Sequence, residues 1–264
     1  MVPALSFVFM AIALIISIGV PILLAVWVMK KFKPGFWAVL CGMIVFFVVQ
    51  IGFRIILLQL FGLTEVGQTF IANNMLLYIG LTSLTAGLVE EFGRLFAFKV
   101  MLKRKHEFRH GIAYGIGHGG IEAVLLIGLS FFSNIVVGIM INNGLLASLP
   151  GMEAELIQPT IDLMVNTPSF HFLLGGIERI FAICLHIALS VMVLHGVRKR
   201  KIGFTFLAIL IHSAVNFIAV SLAQYVNIYL SEAFLLIIAL ASVLYVILMY
   251  KLFKKQDGEL QLDG

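Results

Sequence analysis

Charge is scarce in this chain of 264 residues. Asp, Glu, Lys and Arg make up 12% of it, roughly half of what a soluble domain carries on its surface. With 61% hydrophobic residues and a mean hydropathy of +1.10, lipid must do the solvating. Cysteine is nearly absent. Cys41 and Cys184 fall in separate apolar runs, so no disulfide framework is implied and both are expected to be buried as small apolar residues. No polar stretch is long enough for a separate soluble domain, and no internal repeat or low-complexity tract appears. The apolar runs do not alternate with polar residues, which argues against a membrane β-barrel. A basic n-region is missing before the first run, which is also too long for a signal-peptide core, so that run is expected to stay in the protein. No His-Glu-x-x-His string occurs, and the familiar zinc-protease helix is therefore absent.

What is present is long apolar runs. A helix needs about 20 residues to cross about 30 Å of hydrocarbon. Seven runs qualify: Ala4–Met29, Phe36–Phe61, Phe70–Phe98, Gly111–Ile141, Phe170–Val197, Ile202–Tyr225 and Ala233–Tyr250. The fold expected is an all-α integral membrane bundle over residues 1–253, followed by a frayed polar tail over 254–264.

The cations assign its orientation. Fifteen of the eighteen Lys and Arg residues follow the first, third, fifth and seventh runs, and the connections after the second, fourth and sixth hold none. The positive-inside bias puts the N-terminus outside and the C-terminus in the cytoplasm. The net charge of +5 thus sits in four juxtamembrane clusters suited to anionic lipid headgroups, and calls for no nucleic-acid partner. The longest connection, 142–169, lies outside. It is expected either as an amphipathic helix on the outer leaflet, interrupted at Pro159, or as a cap over the bundle.

Ionisable groups inside a membrane are costly and need a partner or a purpose. The runs contain Arg54, Glu90, Glu91, Arg94, His118, Glu122, Glu178, Arg179, His186 and His212, with Asn216 beside them. At 1.5 Å per residue, Glu90 lies about 13 Å, His118 about 12 Å, His212 about 16 Å and His186 about 18 Å from the basic ends of their runs. Four helices thus bring polar groups to one level. Arg54, Glu178 and Arg179 plot nearer the outer end, where a structural pair is expected.

Spacing along each helix adds detail. Glu90 and Arg94, His118 and Glu122, and His212 and Asn216 are each four residues apart and share a face. Glu178 and His186, eight apart, fall roughly on one stripe. Gly111, Gly115, Gly117, Gly119, Gly120, Gly175 and Gly176 bracket these residues and allow close backbone approach. Carboxylates and imidazoles meeting at one depth suit the activation of water. Glu serves as general base, His orients the water or protonates a leaving amine, and Asn donates to an oxyanion. Glu and His also suit a divalent metal such as zinc, although no metal motif is present and none is favoured.

At these residues the chain resembles the YhfC family of bacterial membrane proteins, and beyond it the CAAX-protease and bacteriocin-processing group of glutamic intramembrane proteases. The resemblance is carried by Glu90-Glu91-Phe92-Gly93-Arg94, by Tyr114 through Glu122, by Glu178-Arg179 with His186, and by His212 through Asn216. It covers nearly the whole chain for YhfC and Leu81 to Asn216 for the wider group. It implies an intramembrane peptidase in the bacterial cytoplasmic membrane, acting on membrane-anchored or lipidated peptides. Glu90 would be the water-activating base, assisted by His118. Glu91 and Arg94 would support the constellation, His212 with Asn216 would form the oxyanion side, and Glu122, Glu178 and His186 would be accessory. Arg94 follows the second Glu by three residues, where the CAAX proteases more often have four. Two other classes compete: a proton-coupled transporter using the same Glu and His groups, and a silent binding or immunity protein on a protease-like scaffold.

Overall fold

The computed structural model describes residues 1–146 and 154–262. Nine helices are found among the described residues, and no strand. We label them α1 (Ala4–Phe32), α2 (Phe36–Leu63), α3 (Glu65–Asn73), α4 (Met75–Met101), α5 (Phe108–Asn142), α6 (Ala154–Asn166), α7 (Ser169–Lys199), α8 (Gly203–Tyr225) and α9 (Ile228–Leu262). All but α3 and α6 are long and apolar enough to cross a membrane, with α9 doing so over Ile228–Asp257. The chain is a multi-pass helical membrane protein. The four cation clusters follow α1, α4 and α7 and lie in α9, so consecutive crossings bring them to one end of the bundle.

The turns follow from local chemistry. α1 stops where Lys33 takes a left-handed conformation (φ 48°), and Pro34 with Gly35 (φ 81°) reverses the chain into α2. α7 stops in the same way at Arg200 (φ 55°). The third crossing begins at Met75, not at Phe70 as the run of apolar residues predicts. Thr64 caps a separate short helix by accepting from the Gly67 N–H (3.0 Å), and Asn74 ends it.

The first half of α5 is the bundle's buried centre, and glycine makes that burial possible. A Cβ on Gly117 would fall on the Val39 carbonyl oxygen of α2, and one on Gly42 would fall on the Tyr114 carbonyl of α5. On other faces of α5, a Cβ on Gly115 would sit 2.6 Å from the Ile187 Cα of α7, and one on Gly120 would sit 2.9 Å from the Pro21 Cβ of α1. Backbones in lipid associate through such contacts, because no hydrophobic force drives helix against helix there. Gly87 does the same for α4 and α8, facing the Ser213 hydroxyl and the Ile209 carbonyl.

Two peripheral segments differ from expectation. α6 runs through Pro159 without interruption. Its Met164 is buried with Val2, Met10, Ala13, Phe131 and Phe172, so α6 is docked on the bundle as a cap. The N-terminus is fixed beside it, since the Val2 N–H donates to Asn142 Oδ1 (2.7 Å) and Asn142 Nδ2 donates to the Val2 carbonyl (3.0 Å). Residues 147–153 of the expected outer connection lie outside the described residues. The expected frayed tail is instead a continuation of α9 to Leu262. Phe253 is buried against Phe108 and His195, and Arg198 pairs with Asp257 across the helices.

Three stretches are wound as π-helix: Phe47–Ile55 in α2, Ala97–Met101 in α4 and Ala123–Gly128 in α5. Such turns are rare and collect at functional sites. One contains Arg54, one begins three residues after Arg94, and one begins directly after Glu122.

Candidate active site

The polar residues of the crossings converge. α4 supplies Glu90, Glu91 and Arg94, α5 supplies His118 and Glu122, α7 supplies Arg179 and His186, and α8 supplies His212. Glu91, Arg94 and His118 have no exposed surface, so each must be satisfied within the protein.

Glu90 and Arg94 share a helical face but do not pair. Arg94 Nη1 instead donates to both oxygens of Glu91, at 2.5 Å each. Residues three apart on a helix are neighbours as much as residues four apart, and Glu90 is turned towards α5. There it accepts from His118 Nε2 at 2.9 Å. Glu91 also accepts from His212 Nδ1 at 2.9 Å, which leaves His212 Nε2 facing Glu90 Oε2 at 3.9 Å. The two adjacent carboxylates thus hold two histidines from different helices.

Arg94 reaches further. Its Nη2 donates to His186 Nδ1 at 3.2 Å, and its guanidinium lies over the Tyr114 ring at 6.0 Å. A guanidinium has only donors, so His186 Nδ1 must accept and the neutral ring carries its proton on Nε2. That nitrogen stands 2.7 Å from Glu122 Oε2. The partner of His186 is therefore Glu122 and not Glu178, the residue that shares its helical stripe. The His118 and His186 rings lie 4.8 Å apart, and those of His186 and His212 lie 5.3 Å apart.

The expected structural pair forms between Glu178 and Arg179, but these two and Arg54 are not separate from the site. Arg179 joins Glu178 and also reaches Glu122 Oε1 at 3.3 Å, so it extends the same network. All three line one cavity of about 220 Å³ with Glu90, Glu122, His186, His212 and Asn216. The cavity starts at the Glu and His cluster and runs away from the basic end of the bundle, past Ser83 and Thr82 on α4 and past Ala219 and Val220 on α8. Gln50 also lines it and escaped the sequence reading, which took up the ionisable groups and, of the neutral amides in the crossings, only Asn216. A buried amide one turn from Arg54 was the available signal.

Glu90, His118, Glu122 and His186 offer four ligand atoms within 4.8 Å of one another. Zinc bonds N and O ligands at about 2.0–2.2 Å, so modest inward movement would bring all four into range. The donor set is also chemically right, and His118 Nδ1 is buried without a hydrogen-bond partner. The residues fit a divalent ion, with one condition. Ligation through either nitrogen of His186 removes the acceptor that Arg94 uses, so an ion there and the Arg94–His186 bond exclude one another.

A family model described as "YhfC intramembrane metalloprotease" matches residues 16–240. The "Uncharacterized membrane protein YhfC" of Bacillus subtilis (strain 168) is 35% identical over 226 residues, covering 83% of this chain and 86% of that one. No solved structure matches.

Proposed function

The chain belongs to the YhfC family, and on that premise we propose that it is an intramembrane peptidase hydrolysing peptide bonds of membrane-embedded or membrane-anchored substrates. The observation that carries this reading is the meeting of Glu90, His118, Glu122 and His186 at the inner end of a polar cavity within the crossings. Hydrolysis inside a bilayer needs water, a base for it and a dry wall around both. The cavity and its lining supply these.

Glu90 is the general base. Its Oε2 and His212 Nε2, 3.9 Å apart, leave a gap that one water bridges. Glu90 takes a proton as the water oxygen bonds to the carbonyl carbon. As the C–N bond breaks, the same carboxyl returns that proton to the departing nitrogen. His118 fixes the Glu90 carboxylate. Glu91, itself fixed by Arg94, fixes the His212 ring. A histidine anchored in this way by a carboxylate keeps its other nitrogen aimed. Asn216, one turn beyond His212, places an amide donor on the wall where the oxyanion forms. His118, Glu122 and His186 would hold a divalent ion such as zinc, leaving Glu90 beside it as the base. When bound, the ion supplies polarisation of the carbonyl and a more acidic water. The alternative is a metal-free glutamic peptidase. It is favoured by the Glu91–Arg94–His212 array, which supports the base without any ligand role.

The test uses purified protein in detergent or nanodiscs with a pool of transmembrane and lipid-anchored peptides. Glu90→Gln is expected to abolish cleavage while the protein still elutes as a folded species. Chelation decides the chemistry, since loss restored by zinc marks a metallopeptidase and indifference marks a glutamic one. Full activity of Glu90→Gln would overturn the reading. Proton-coupled solute uptake by wild type in vesicles would replace it with the transporter reading.

A further inference from the structure

The cation clusters that follow α4 and α7 meet at one pocket. It lies at the basic end of the bundle between α4, α7 and α8, with a volume of about 210 Å³. Lys99 enters its wall from the π-wound end of α4, and Arg200 and Lys201 enter from the turn that joins α7 to α8. Among the described residues no carboxylate lines this pocket, and none of its three cations forms an ion pair. Other cations at the same end are matched, since Arg109 holds Glu107 at 2.8 Å and Arg198 holds Asp257. Three like charges around one space repel one another, and an anion placed between them turns that repulsion into attraction.

The rest of the wall narrows the choice of anion. Thr205, in the first turn of α8, is 1% exposed and lines the pocket, and its hydroxyl has no hydrogen-bond partner among the described residues. α8 begins at Gly203, so the positive end of its dipole adds to the same side. The negative end of α7 is closed off, because the Gly196 and Val197 carbonyls accept from the Lys201 and Arg200 N–H groups at 2.9 and 3.2 Å. A planar guanidinium, two ammonium groups and a hydroxyl donor together match the several oxygens of a phosphate. Leu95, Val197 and Ile202 supply the remaining wall. That apolar surface suits the start of an acyl chain and offers a free ion nothing.

We propose that this pocket binds a phosphate group, presented by the headgroup of an anionic phospholipid. Lys99 stands on α4 beyond Glu90, Glu91 and Arg94, Arg200 ends the helix that carries His186, and Lys201 precedes the helix that carries His212. A bound headgroup therefore ties together the basic ends of three of the four helices that supply the Glu and His cluster.

The experiment titrates the full-length protein in mild detergent with dioleoyl phosphatidylglycerol or dioleoyl phosphatidylcholine and reads bound lipid by native mass spectrometry. Wild type is compared with Lys99→Gln/Arg200→Gln/Lys201→Gln and with Lys30→Gln/Lys31→Gln/Lys33→Gln. Both triples remove three charges from the basic end, and each includes one left-handed helix stop, Arg200 or Lys33. A juxtamembrane cation near an anionic headgroup is worth about 5-fold in affinity. The pocket triple is therefore expected to weaken phosphatidylglycerol binding on the order of 100-fold, to the level of phosphatidylcholine, while the other triple keeps the wild-type Kd. Thr205→Val keeps every charge and should weaken binding on the order of 10-fold. Should the pocket triple fail to fold, Thr205→Val and Lys99→Gln carry the same test singly. Equal weakening by both triples overturns the proposal, since the attraction would then belong to the whole basic surface. So does wild-type binding by the pocket triple or by Lys99→Gln and Thr205→Val. Inorganic phosphate, compared with chloride at matched ionic strength, separates the two sources. Lipid that stays bound in millimolar phosphate supports the headgroup, whereas its displacement there makes soluble phosphate the ligand and overturns the lipid assignment.

Discussion

Replacing Arg94 with Met tests whether the buried network rests on one cation. Arg94 and Glu91 have no exposed side-chain surface, and the guanidinium supplies both short bonds to Glu91 and the donor to His186. Met fills much of the same volume but leaves the Glu91 carboxylate with only the His212 bond. Removing one partner of a buried ion pair costs about 3–5 kcal/mol, because the remaining charge is stranded. In a chain of this length, 1 kcal/mol moves Tm by about 2–4 °C, so the expected loss is on the order of 6–20 °C. A thermal melt followed by fluorescence-detected size exclusion in mild detergent reads it. The second arm is Glu91→Gln with Arg94→Met, which removes the stranded charge and keeps an oxygen for His212. That double variant should recover at least half of the lost Tm. If Arg94→Met melts with wild type, or if the double variant is no better than the single one, then Arg94 does not act through Glu91. The network would have to be rebuilt around Glu90.

Two further outcomes follow from packing and topology. Gly117→Ala places a methyl against the α2 backbone and should cost about 1–3 kcal/mol in the same melt, whereas Gly62→Ala, whose Cβ would meet nothing within 4 Å, should stay within about 0.5 kcal/mol. Equal effects would discount the close approach of α2 and α5. Cysteines placed at Lys103 and at Glu65, in a Cys41→Ala/Cys184→Ala background, should be labelled by an impermeant maleimide from opposite sides of the membrane, with position 103 reached only from the cytoplasm.

The crossings were legible in the sequence because hydropathy and length act on whole segments. All seven appear in the structure, with ends displaced by a few residues. The convergence of Glu90, His118, His186 and His212 was also legible, since counting residues from the cation clusters fixes depth. The partners were not. Helical spacing offered Arg94 to Glu90 and Glu178 to His186, but neither pair formed. Glu90 went to His118, Glu91 to Arg94 and His212, and His186 to Glu122. Which of two adjacent carboxylates faces which helix depends on the rotation of each crossing about its axis. That rotation is fixed by backbone contacts at Gly42, Gly87 and Gly117, which carry no signal in a count of residues. Gln50 was missed because, unlike Asn216, it has no histidine one turn away to mark it.

The π-wound stretches carry a consequence for comparing this chain with its relatives. Insertions and deletions are poorly tolerated within a membrane crossing, since one residue more or less turns everything beyond it onto a different face. A π turn already holds such an extra residue, with its bonds running to the fifth neighbour and not the fourth. A relative lacking one residue within 123–128 would wind that stretch as ordinary α-helix and keep the faces of both flanking halves. Gaps in alignments of these proteins therefore belong inside 47–55, 97–101 and 123–128, in the middle of crossings, as readily as in the loops.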